Sequence, residues 1–312
     1  MRIVLRYNPL AGRGRADAIA DAAASRLERD GHDVRRAPVS KTDPGSLARA
    51  LDGAANGGGP ADLLAVIGGD GTIHHALPDV LARGTPIYHV PLGTENLFAR
   101  QFGMDADVER LAAAVRRAEV TRVDVGVCNG VPFVLMCSMG PDANVVHRLA
   151  KVRRGRITHF SYLAPGIAEF FRPGIPRLRI EVDGRTVVDG RRGLVVIANS
   201  RQYAMRVDPA ARASMTDGLL DAVFFPCSTS LGVLAWAMWA RQGRHLSSRA
   251  LVYATGTRVK AESLEPGGSL HQIDGEPGSG ASAGESDRVP ALDCEVRPGA
   301  LRVLIPPPEP QT

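Results

Sequence analysis

The 312-residue chain is short of several residue types, and each shortage narrows what the protein can be. Lysine occurs only at positions 41, 151 and 260, so arginine supplies nearly all of the positive charge. Aromatic residues make up 5% of the chain. The longest apolar run, residues 231–240, is far shorter than the roughly 20 residues of a bilayer-spanning helix. Residues 2–7 already have the pattern of a strand, so no signal peptide is predicted and a soluble or peripheral protein is favoured.

The cysteines do not form a recognisable metal or redox motif. Cys128, Cys137, Cys227 and Cys294 contain no CxxC pair, and most of them lie in apolar runs. This pattern predicts buried free thiols in a reducing cytosol, and hence a cytoplasmic protein.

The overall charge of the chain favours anionic binding partners. The formal net charge is +5 and the pI is about 9.3. A basic surface suits nucleotides, nucleic acid or acidic lipid, although a solvated arginine-rich face would give the same values. No aromatic residues interleave with the basic ones and no nucleic-acid-binding module is recognisable, so nucleic acid is not expected as a partner.

The first part of the chain alternates strands with helices. Strands are predicted at residues 2–7, 32–39, 63–69 and 86–93, and helices at 16–30, 47–55, 73–81 and 108–115. This alternation is typical of an α/β domain whose parallel sheet is covered on both faces. We expect this domain to span residues 1–121, with a last strand at 299–312 returning to it.

The second part, residues 122–298, has the pattern of antiparallel β structure. Asn129-Gly130 and Asp183-Gly184 are strong signals for type I′ hairpin turns. A helix pair is predicted at about 158–171 and 229–243, and the Gly/Ser-rich segment 275–291 is predicted to be a loop. A β-sandwich-like second domain is therefore expected.

The segment Gly68-Gly69-Asp70-Gly71-Thr72 follows an apolar strand and opens a helix. Glycines allow backbone N–H groups to approach phosphate oxygens, and a helix N-terminus adds positive partial charge. A carboxylate at such a place is repulsive unless it holds a cation, so Asp70 indicates Mg²⁺. A tight turn with a capping Asp is the structural alternative. Neither a Walker loop nor a dinucleotide-binding fingerprint is present.

This segment resembles the GGDGT signature of diacylglycerol, sphingosine and NAD kinases and of 6-phosphofructokinases. Further motifs single out the diacylglycerol kinase catalytic family, and they occur in the family's order along the chain. These are NPLAGRG (8–14), PLGTENLFAR (91–100), MTDGLLD (215–221) and IDGEP (273–277). The resemblance covers nearly the whole chain and implies two domains with ATP bound in the cleft between them.

The resemblance also implies the nucleotide-binding residues. Ser40 or Thr42 would supply a threonine-like contact after the second strand. The remaining residues that would line ATP are Asn8, Pro9, Gly12, Arg13, Gly14, Gly68, Gly69, Asp70, Gly71, Thr72, Thr94 and Asn96.

Acidic residues of the second domain would carry the chemistry. Asp274 and Glu276 are two positions apart, and on an extended segment both would point to the same side. By resemblance Asp274 is the general base, with Glu276 as its partner or substitute, and Asp70 acts with the metal. Asp217 would hold a second, structural Mg²⁺ together with the carbonyl groups of Ser214 and Leu219.

The chain departs from the family pattern at three places. Leu97 stands where the family has an aspartate near the phosphates, which bears on the metal geometry and on activity. The usual glycine run after Tyr203 is replaced by residues 204–209, next to the expected acyl groove. The loop 278–291 is longer than in the family and would act as a lid. Residues 236–240 (WAMWA) would pack in the core or in a lipid groove, rather than enter a membrane.

The leading hypothesis is an ATP- and Mg²⁺-dependent lipid kinase that phosphorylates diacylglycerol or a related lipid. It would meet its substrate at the membrane surface through transient peripheral contact, and a homodimer is one possible state. One alternative is a kinase of a soluble substrate, of the NAD kinase type, although no acidic motif is placed for a ribose. The other is a non-catalytic lipid- or nucleotide-binding family member, which Leu97 favours.

Overall fold

A computed structural model describes residues 1–40, 42–53, 59–152, 174–278 and 287–308 of the chain. The chain divides into two compact units. Unit 1 comprises Met1–Val123 and Gly299–Thr312, and unit 2 comprises Asp124–Pro298. Each unit is described by itself below.

Unit 1 is built on a parallel sheet. Its strands β1 (Arg2–Tyr7), β2 (Asp33–Pro38), β3 (Leu63–Gly68) and β4 (Ile87–Pro91) are arranged in the order β4-β3-β1-β2. All adjacent pairs are parallel, with Ile3 opposite Leu63 and Leu64 opposite Ile87. Every residue of β3 is buried, as expected for a central strand covered on both faces. The α/β fold class is confirmed.

Helices connect these strands. They are α1 (Ala16–Arg29), α2 (Ser46–Asp52), α3 (Asp70–Arg83), α4 (Leu97–Phe102) and α5 (Val108–Arg117). Alanines and Leu27 form the buried face of α1. Ion pairs connect α1 with α5, through Arg26 and Glu109, and α2 with α3, through Asp52 and Arg83. Helix α3 continues through Pro78, whereas α4 has no counterpart among the predicted helices.

Unit 2 consists mainly of antiparallel strands. Strand β5 (Val120–Cys128) enters the unit, and β16 (Ala291–Leu304) leaves it to pair in parallel with β4 of unit 1. The strands between them are β6 (Val131–Phe133), β7 (Met136–Met139), β8 (Arg177–Val182), β9 (Arg185–Ala198), β10 (Leu220–Pro226), β11 (Val252–Gly256), β12 (Arg258–Ser263), β13 (Ser269–Ile273), β14 (Glu276–Pro277) and β15 (Arg288–Val289). A path β14-β13-β7-β9-β8-β12-β16 runs through the sheet, and β10 joins β9 to β11.

The predicted hairpin turns are confirmed. Asn129 and Gly130 have φ values of 49° and 84°, and Asp183 and Gly184 have 47° and 78°. Positive φ at both central residues is the property of a type I′ turn. These turns join β5 to β6 and β8 to β9, each pair being antiparallel.

Three cysteines lie together in the core of unit 2. Cys128, Cys137 and Cys294 are buried, and the Sγ atoms of Cys137 and Cys294 are 3.4 Å apart. They pack with apolar side chains from several strands, such as Phe133 on β6 and Leu292 on β16. Burial raises the pKa of Cys137 and of Cys294, whereas the hydrogen bonds with these two thiols lower the pKa of Cys128. The prediction of buried free thiols is confirmed for these three, whereas Cys227 is half-buried.

Unit 2 also carries α6 (Pro141–Val152) and α7 (Ser230–Arg241). Helix α7 matches the predicted helix at 229–243, whereas the predicted helix at 158–171 and most of the predicted lid lie outside the described residues. Core packing, one of the two expectations for residues 236–240, is wrong for Met238 and Trp239, which are 53% and 45% exposed. Packing in a lipid groove stays a prediction. No helix in the described ranges has the length and apolarity needed to cross a bilayer.

Candidate functional site

Three loops meet at the carboxyl edge of the parallel sheet in unit 1. They follow β1, β3 and β4 and contain the motifs at 8–14, 68–72 and 91–97. A Cβ on Gly93 would lie 2.7 Å from the Cα atom of Gly69, and one on Gly12 would lie 3.3 Å from the side chain of Leu92. These approaches require glycine at Gly69 and Gly93, because a side chain would push the loops apart. The structure therefore brings the predicted nucleotide-binding motifs together.

The first loop is a compact turn. Asn8 Oδ1 accepts a hydrogen bond from the N–H of Leu10, and the Asn8 carbonyl accepts one from Ala11. Gly12, Arg13 and Gly14 have φ values of 58°, 67° and 80°. Three consecutive left-handed residues turn the backbone sharply before α1 begins. Pro9 is half-buried and the side chain of Arg13 is exposed.

The second loop presents the N-terminus of α3. Gly69 is the N-cap in an extended conformation, and no side chain caps the helix. The first amides of a helix have no acceptor within it, so those at Asp70 and Gly71 are available to an anion. Thr72 does not cap α3. Its hydroxyl folds back towards Gly68, where a Cβ would lie 2.6 Å from Thr72 Oγ1.

Asp70 is tied to the third loop. Its Oδ2 accepts a hydrogen bond from the N–H of Leu97, and its Oδ1 accepts one from Phe98, both at 3.0 Å. Asp70 thus caps α4, which begins at Leu97. Leu97 is buried, so the family's aspartate position is here part of the core of unit 1. The role of Asp70 with Mg²⁺ stays a prediction, and its capping role is an additional finding.

Asn96 closes the third loop. Its Oδ1 accepts a hydrogen bond from the Gly93 N–H at 2.8 Å, and its Nδ2 donates to the Gly93 carbonyl at 2.9 Å. Thr94, between them, is exposed. Ser40 and Thr42 follow β2 and their hydroxyls are 3.1 Å apart, so neither is singled out for the predicted nucleotide contact.

His89 is a residue that sequence reasoning missed. It lies on β4, is fully buried, and places Nε2 3.0 Å from the carbonyl oxygen of Gly68. A carbonyl only accepts, so Nε2 carries the proton and the buried Nδ1 is left without a partner. Burial lowers the pKa of His89, while the carboxylate of Asp70 acts in the opposite direction. The neutral imidazole of His89 therefore donates a hydrogen bond to the backbone of the loop that follows β3.

In unit 2, the Asp274-Gly275 pair forms a turn that sequence reasoning took as extended. Asp274 and Gly275 have φ values of 51° and 81° and connect β13 to β14. The expectation that Asp274 and Glu276 point to one side of an extended segment is therefore wrong, since a type I′ turn breaks the alternation.

The carboxylate of Asp274 is buried against backbone amides. Oδ1 accepts hydrogen bonds from Leu135 and Met136, at 2.8 and 3.1 Å, and Oδ2 accepts one from Val134 at 3.0 Å. Asp274 is 5% exposed. Charge-assisted bonds to three amides fix the 134–136 segment to the turn. Glu276, by contrast, is only half-buried on β14.

A chain of polar side chains leads away from this turn. The N–H of Gly275 donates to Gln272 Oε1, and Gln272 Nε2 donates to the Ser138 hydroxyl, both at 2.8 Å. Ser138 in turn donates to Asp142 Oδ2, which also accepts from the Tyr203 hydroxyl at 2.9 Å. Burial raises the pKa of Asp142 despite these two bonds. The sequence carried no signal for this network, because its members come from three separate segments of the chain.

The loop that contains Ser214, Asp217 and Leu219, predicted to hold a structural Mg²⁺, is held by Asp124, a carboxylate that sequence reasoning did not single out. Asp217 is exposed and its Oδ1 accepts from the Leu219 N–H at 3.1 Å, while the Ser214 and Thr216 hydroxyls are 3.2 Å apart. Asp124, buried on β5, accepts from the Gly218 N–H at 2.7 Å. Burial raises the pKa of nearby Asp221, and the charge of Asp217 adds to the shift. Oxygen donors of this kind suit Mg²⁺ or Ca²⁺.

Comparisons with known proteins cover both units. The diacylglycerol kinase catalytic domain matches residues 2–128, and the YegS C-terminal NAD kinase β-sandwich-like domain matches residues 136–305. The chain is 29% identical over 309 residues to a diacylglycerol kinase of Mycobacterium tuberculosis, covering 96% of this chain and 93% of that protein. It is 24% identical over 232 residues to an uncharacterized protein of Synechocystis sp., of which the match spans 53%.

Solved structures agree with this assignment at the level of the fold. The crystal structure of a putative diacylglycerol kinase from Bacillus anthracis superposes with a TM-score of 0.72 at 21% identity, covering 98% of this chain and 97% of that one. The motifs in the loops of unit 1, the β-rich unit 2 and both family matches lead to one conclusion: the chain belongs to the diacylglycerol kinase family.

Proposed function

We propose that the protein is an ATP-dependent kinase that transfers the γ-phosphate to a hydroxyl group of diacylglycerol or a closely related lipid. The observation that carries the proposal is the contact of three glycine-rich loops at one edge of the sheet in unit 1. Family membership supports a kinase, and the lipid substrate is inferred from relatives that are named diacylglycerol kinases.

In unit 1, the triphosphate would lie on the loops after β1, β3 and β4. The uncapped first turn of α3 offers amides and positive partial charge to the phosphates. Asn96 keeps the third loop closed, and the carboxylate of Asp70 keeps it attached to the second. These residues act by positioning, which is the main contribution of a protein to phosphoryl transfer.

The residues present fit the Mg²⁺ that accompanies ATP. Each oxygen of Asp70 accepts one amide hydrogen bond, and a carboxylate oxygen has a second lone pair for a metal or its water. When bound, the ion would neutralise charge that develops on the phosphates. Asp70 would hold it without the second carboxylate that the family pattern places at the position of Leu97.

In unit 2, we assign the general base to Glu276 rather than to Asp274. A base has to be reached by the substrate hydroxyl, and Asp274 is 5% exposed, with three amide hydrogen bonds on its carboxylate. Glu276 is half-buried and directly follows the turn that Asp274 anchors. Asp274 then acts as a positioning residue. A second cation on Asp217, with the Ser214 and Leu219 carbonyls, would stabilise the loop that Asp124 holds.

The direct test is turnover of γ-labelled ATP with Mg²⁺ on a panel that contains diacylglycerol, ceramide, monoacylglycerol and NAD. We expect labelled phosphatidic acid or a related lipid phosphate, and no labelled NADP. Glu276→Gln should lower kcat by about 10²–10⁴-fold, the usual contribution of a general base. It should leave the Kd for ATP unchanged.

Two results would contradict the proposal. Phosphorylation of NAD instead of lipid would indicate a kinase of a soluble substrate. Binding of ATP without turnover on any lipid would indicate a non-catalytic relative.

A further inference from the structure

Helix α7 presents an apolar face to solvent. Among its residues Leu231, Leu234, Met238 and Trp239 are 69%, 50%, 53% and 45% exposed. Their spacing puts them within one stripe of the helix, and together they are called here the outer face of α7. Exposed large apolar residues are common singly, whereas four on one helix face mark an interaction surface.

The opposite side fixes the helix to unit 2. The Trp236 indole N–H donates to the Pro226 carbonyl at 2.9 Å, and its ring meets Phe225 edge-on with centroids 5.5 Å apart. Ala240 is 4% exposed. Thr229 caps the N-terminus by accepting a hydrogen bond from Gly232. The outer face is therefore held outward by a well-anchored helix, and it does not result from a frayed end.

The charged residues within and shortly after this helix in the sequence are all arginines. No aspartate or glutamate occurs between Asp221 and Glu262, whereas Arg241, Arg244 and Arg249 follow the outer face directly and are exposed. Arg241 also donates to the carbonyl of Met205, which adds a further apolar side chain, 57% exposed, beside the end of the helix. An apolar stripe bordered by arginine is the pattern of a helix that lies in the interface of an anionic bilayer.

We propose that the outer face of α7 docks on the surface of an anionic lipid bilayer, with its apolar side chains among the acyl chains and the arginines on the headgroups. The bilayer would bring the proposed lipid kinase to its substrate, so the biological role of this docking rests on the proposed function. The docking itself does not depend on catalysis, so the two are tested separately.

The test uses the intrinsic fluorescence of the protein. Its two tryptophans, Trp236 and Trp239, both lie on α7. Vesicles of phosphatidylcholine with phosphatidylglycerol should shift the emission to the blue, and brominated lipid should quench it. In Trp239→Phe, which leaves the anchored Trp236 as the single fluorophore, we expect most of the quenching to be lost.

Binding is measured by sedimentation with the same vesicles. The variant Leu234→Ser/Trp239→Ser should bind at least ten-fold more weakly than wild type. Leu264→Ser, which removes an exposed apolar side chain outside α7, should bind like wild type. Vesicles of phosphatidylcholine alone, or 0.5 M salt, should weaken wild-type binding because the arginine contribution is electrostatic.

Activity separates this inference from the proposed function. On short-chain diacylglycerol in detergent micelles, Leu234→Ser/Trp239→Ser should retain wild-type kcat, while on vesicles it should lose activity in proportion to binding. Equal vesicle binding by variant and wild type would overturn the inference and leave the kinase assignment intact. A concentration-dependent dimer that Trp239→Ser abolishes would also overturn it, because a second copy would then cover the outer face of α7. Tryptophans that are already shielded from acrylamide in the free protein would overturn it as well. Absence of turnover with normal vesicle binding would overturn the proposed function alone.

Discussion

At the scale of single residues, the acidic groups of the family motifs direct their oxygens at backbone amides. Asp70 caps α4 and Asp274 fastens the 134–136 segment. Such carboxylates position the loops that carry function, whether or not they also touch a ligand. The motif sequences alone did not reveal these roles, because the amides that Asp274 binds lie 138–140 residues away along the chain.

Replacing Asp274 by asparagine should destabilise unit 2. The amide –NH2 group would face a backbone donor in a buried place, so we expect a loss of about 2–4 kcal/mol in the free energy of unfolding. Urea denaturation followed by circular dichroism measures it.

Asp183 offers a matched control. It occupies the same position of another Asp-Gly turn and also accepts hydrogen bonds from backbone amides, those of Thr257 and Arg258, but it is exposed to water. Asp183→Asn should therefore cost under about 1 kcal/mol. Equal losses for the two variants would mean that Asp274 is not the buried anchor described above.

His89 should make the protein sensitive to mild acid. Its folded-state pKa is lowered by burial, so below the ordinary pKa of about 6.5 the unfolded chain binds a proton that the folded protein does not. Stability should therefore fall as the pH is lowered from 7 towards 5. His89→Gln keeps a donor for the Gly68 carbonyl but does not titrate.

The measurement is the urea midpoint at several pH values. At pH 5 to 6, the slope of unfolding free energy against pH should be smaller in His89→Gln than in wild type, by up to about 1.4 kcal/mol per pH unit. Burial also lowers the pKa values of His245 and His271, so these two residues contribute acid sensitivity in both proteins. Parallel slopes would show that His89 is protonated in the folded state.

At the scale of elements, periodicity was sufficient where an element is stabilised by its own sequence. Strand β3, helix α1 and the Asn129-Gly130 and Asp183-Gly184 turns were predicted because apolar pattern and turn chemistry are local. Helix α4 was missed because its cap comes from Asp70, and its N-cap residue Asn96 adopts a left-handed conformation. A cap supplied by a residue 28 positions away cannot be recognised from the sequence around the helix.

The exposure of α7 could not be predicted for a similar reason. Its composition is that of a core helix, and only the structure shows that Trp236 faces inward and Trp239 outward. The network from Gln272 to Tyr203 was equally hidden, since its residues are polar and unremarkable in sequence. Burial, rather than residue type, distinguishes these groups.

The contact between the second and third loops makes Gly93 critical. Gly93→Ala would place a Cβ 2.7 Å from the Cα of Gly69 and 2.8 Å from Asn96 Oδ1, so the two loops would separate. We expect the KM for ATP to rise at least ten-fold. Gly31→Ala, at a positive φ of 84° with nothing within 4 Å, supplies a control that adds backbone strain without a clash. An unchanged KM in Gly93→Ala would show that the loops do not hold the nucleotide together.

At the scale of the whole molecule, the order of elements conveys the architecture better than any single motif. The chain completes most of unit 1, builds unit 2, and returns through β16, whose Val303 pairs with Ile87 of β4. In the sequence, the alternation of strands and helices, followed by hairpin turns, predicted this order of an α/β part and a β part. The residues that were missed, His89, Asp124 and Asp142, are all polar groups inside a unit, where composition gives no signal.

Unit 2 is inserted into unit 1, and this predicts that unit 1 folds without it. Strands β5 and β16 pair where unit 1 is interrupted, and a Cβ on Gly299 would lie 3.7 Å from the Cβ of Arg122. A short Gly-Ser linker from Val123 to Gly299 therefore closes the gap without strain. We expect this shortened chain to unfold cooperatively in urea and to bind ATP, measured by calorimetry, with a Kd within about ten-fold of the full chain, since the three loops belong to unit 1. Gly93→Ala in the shortened chain should weaken that binding at least ten-fold. A shortened chain that folds but does not bind ATP would show that unit 2 supplies essential nucleotide contacts, and the assignment of the triphosphate to the glycine-rich loops alone would then be wrong.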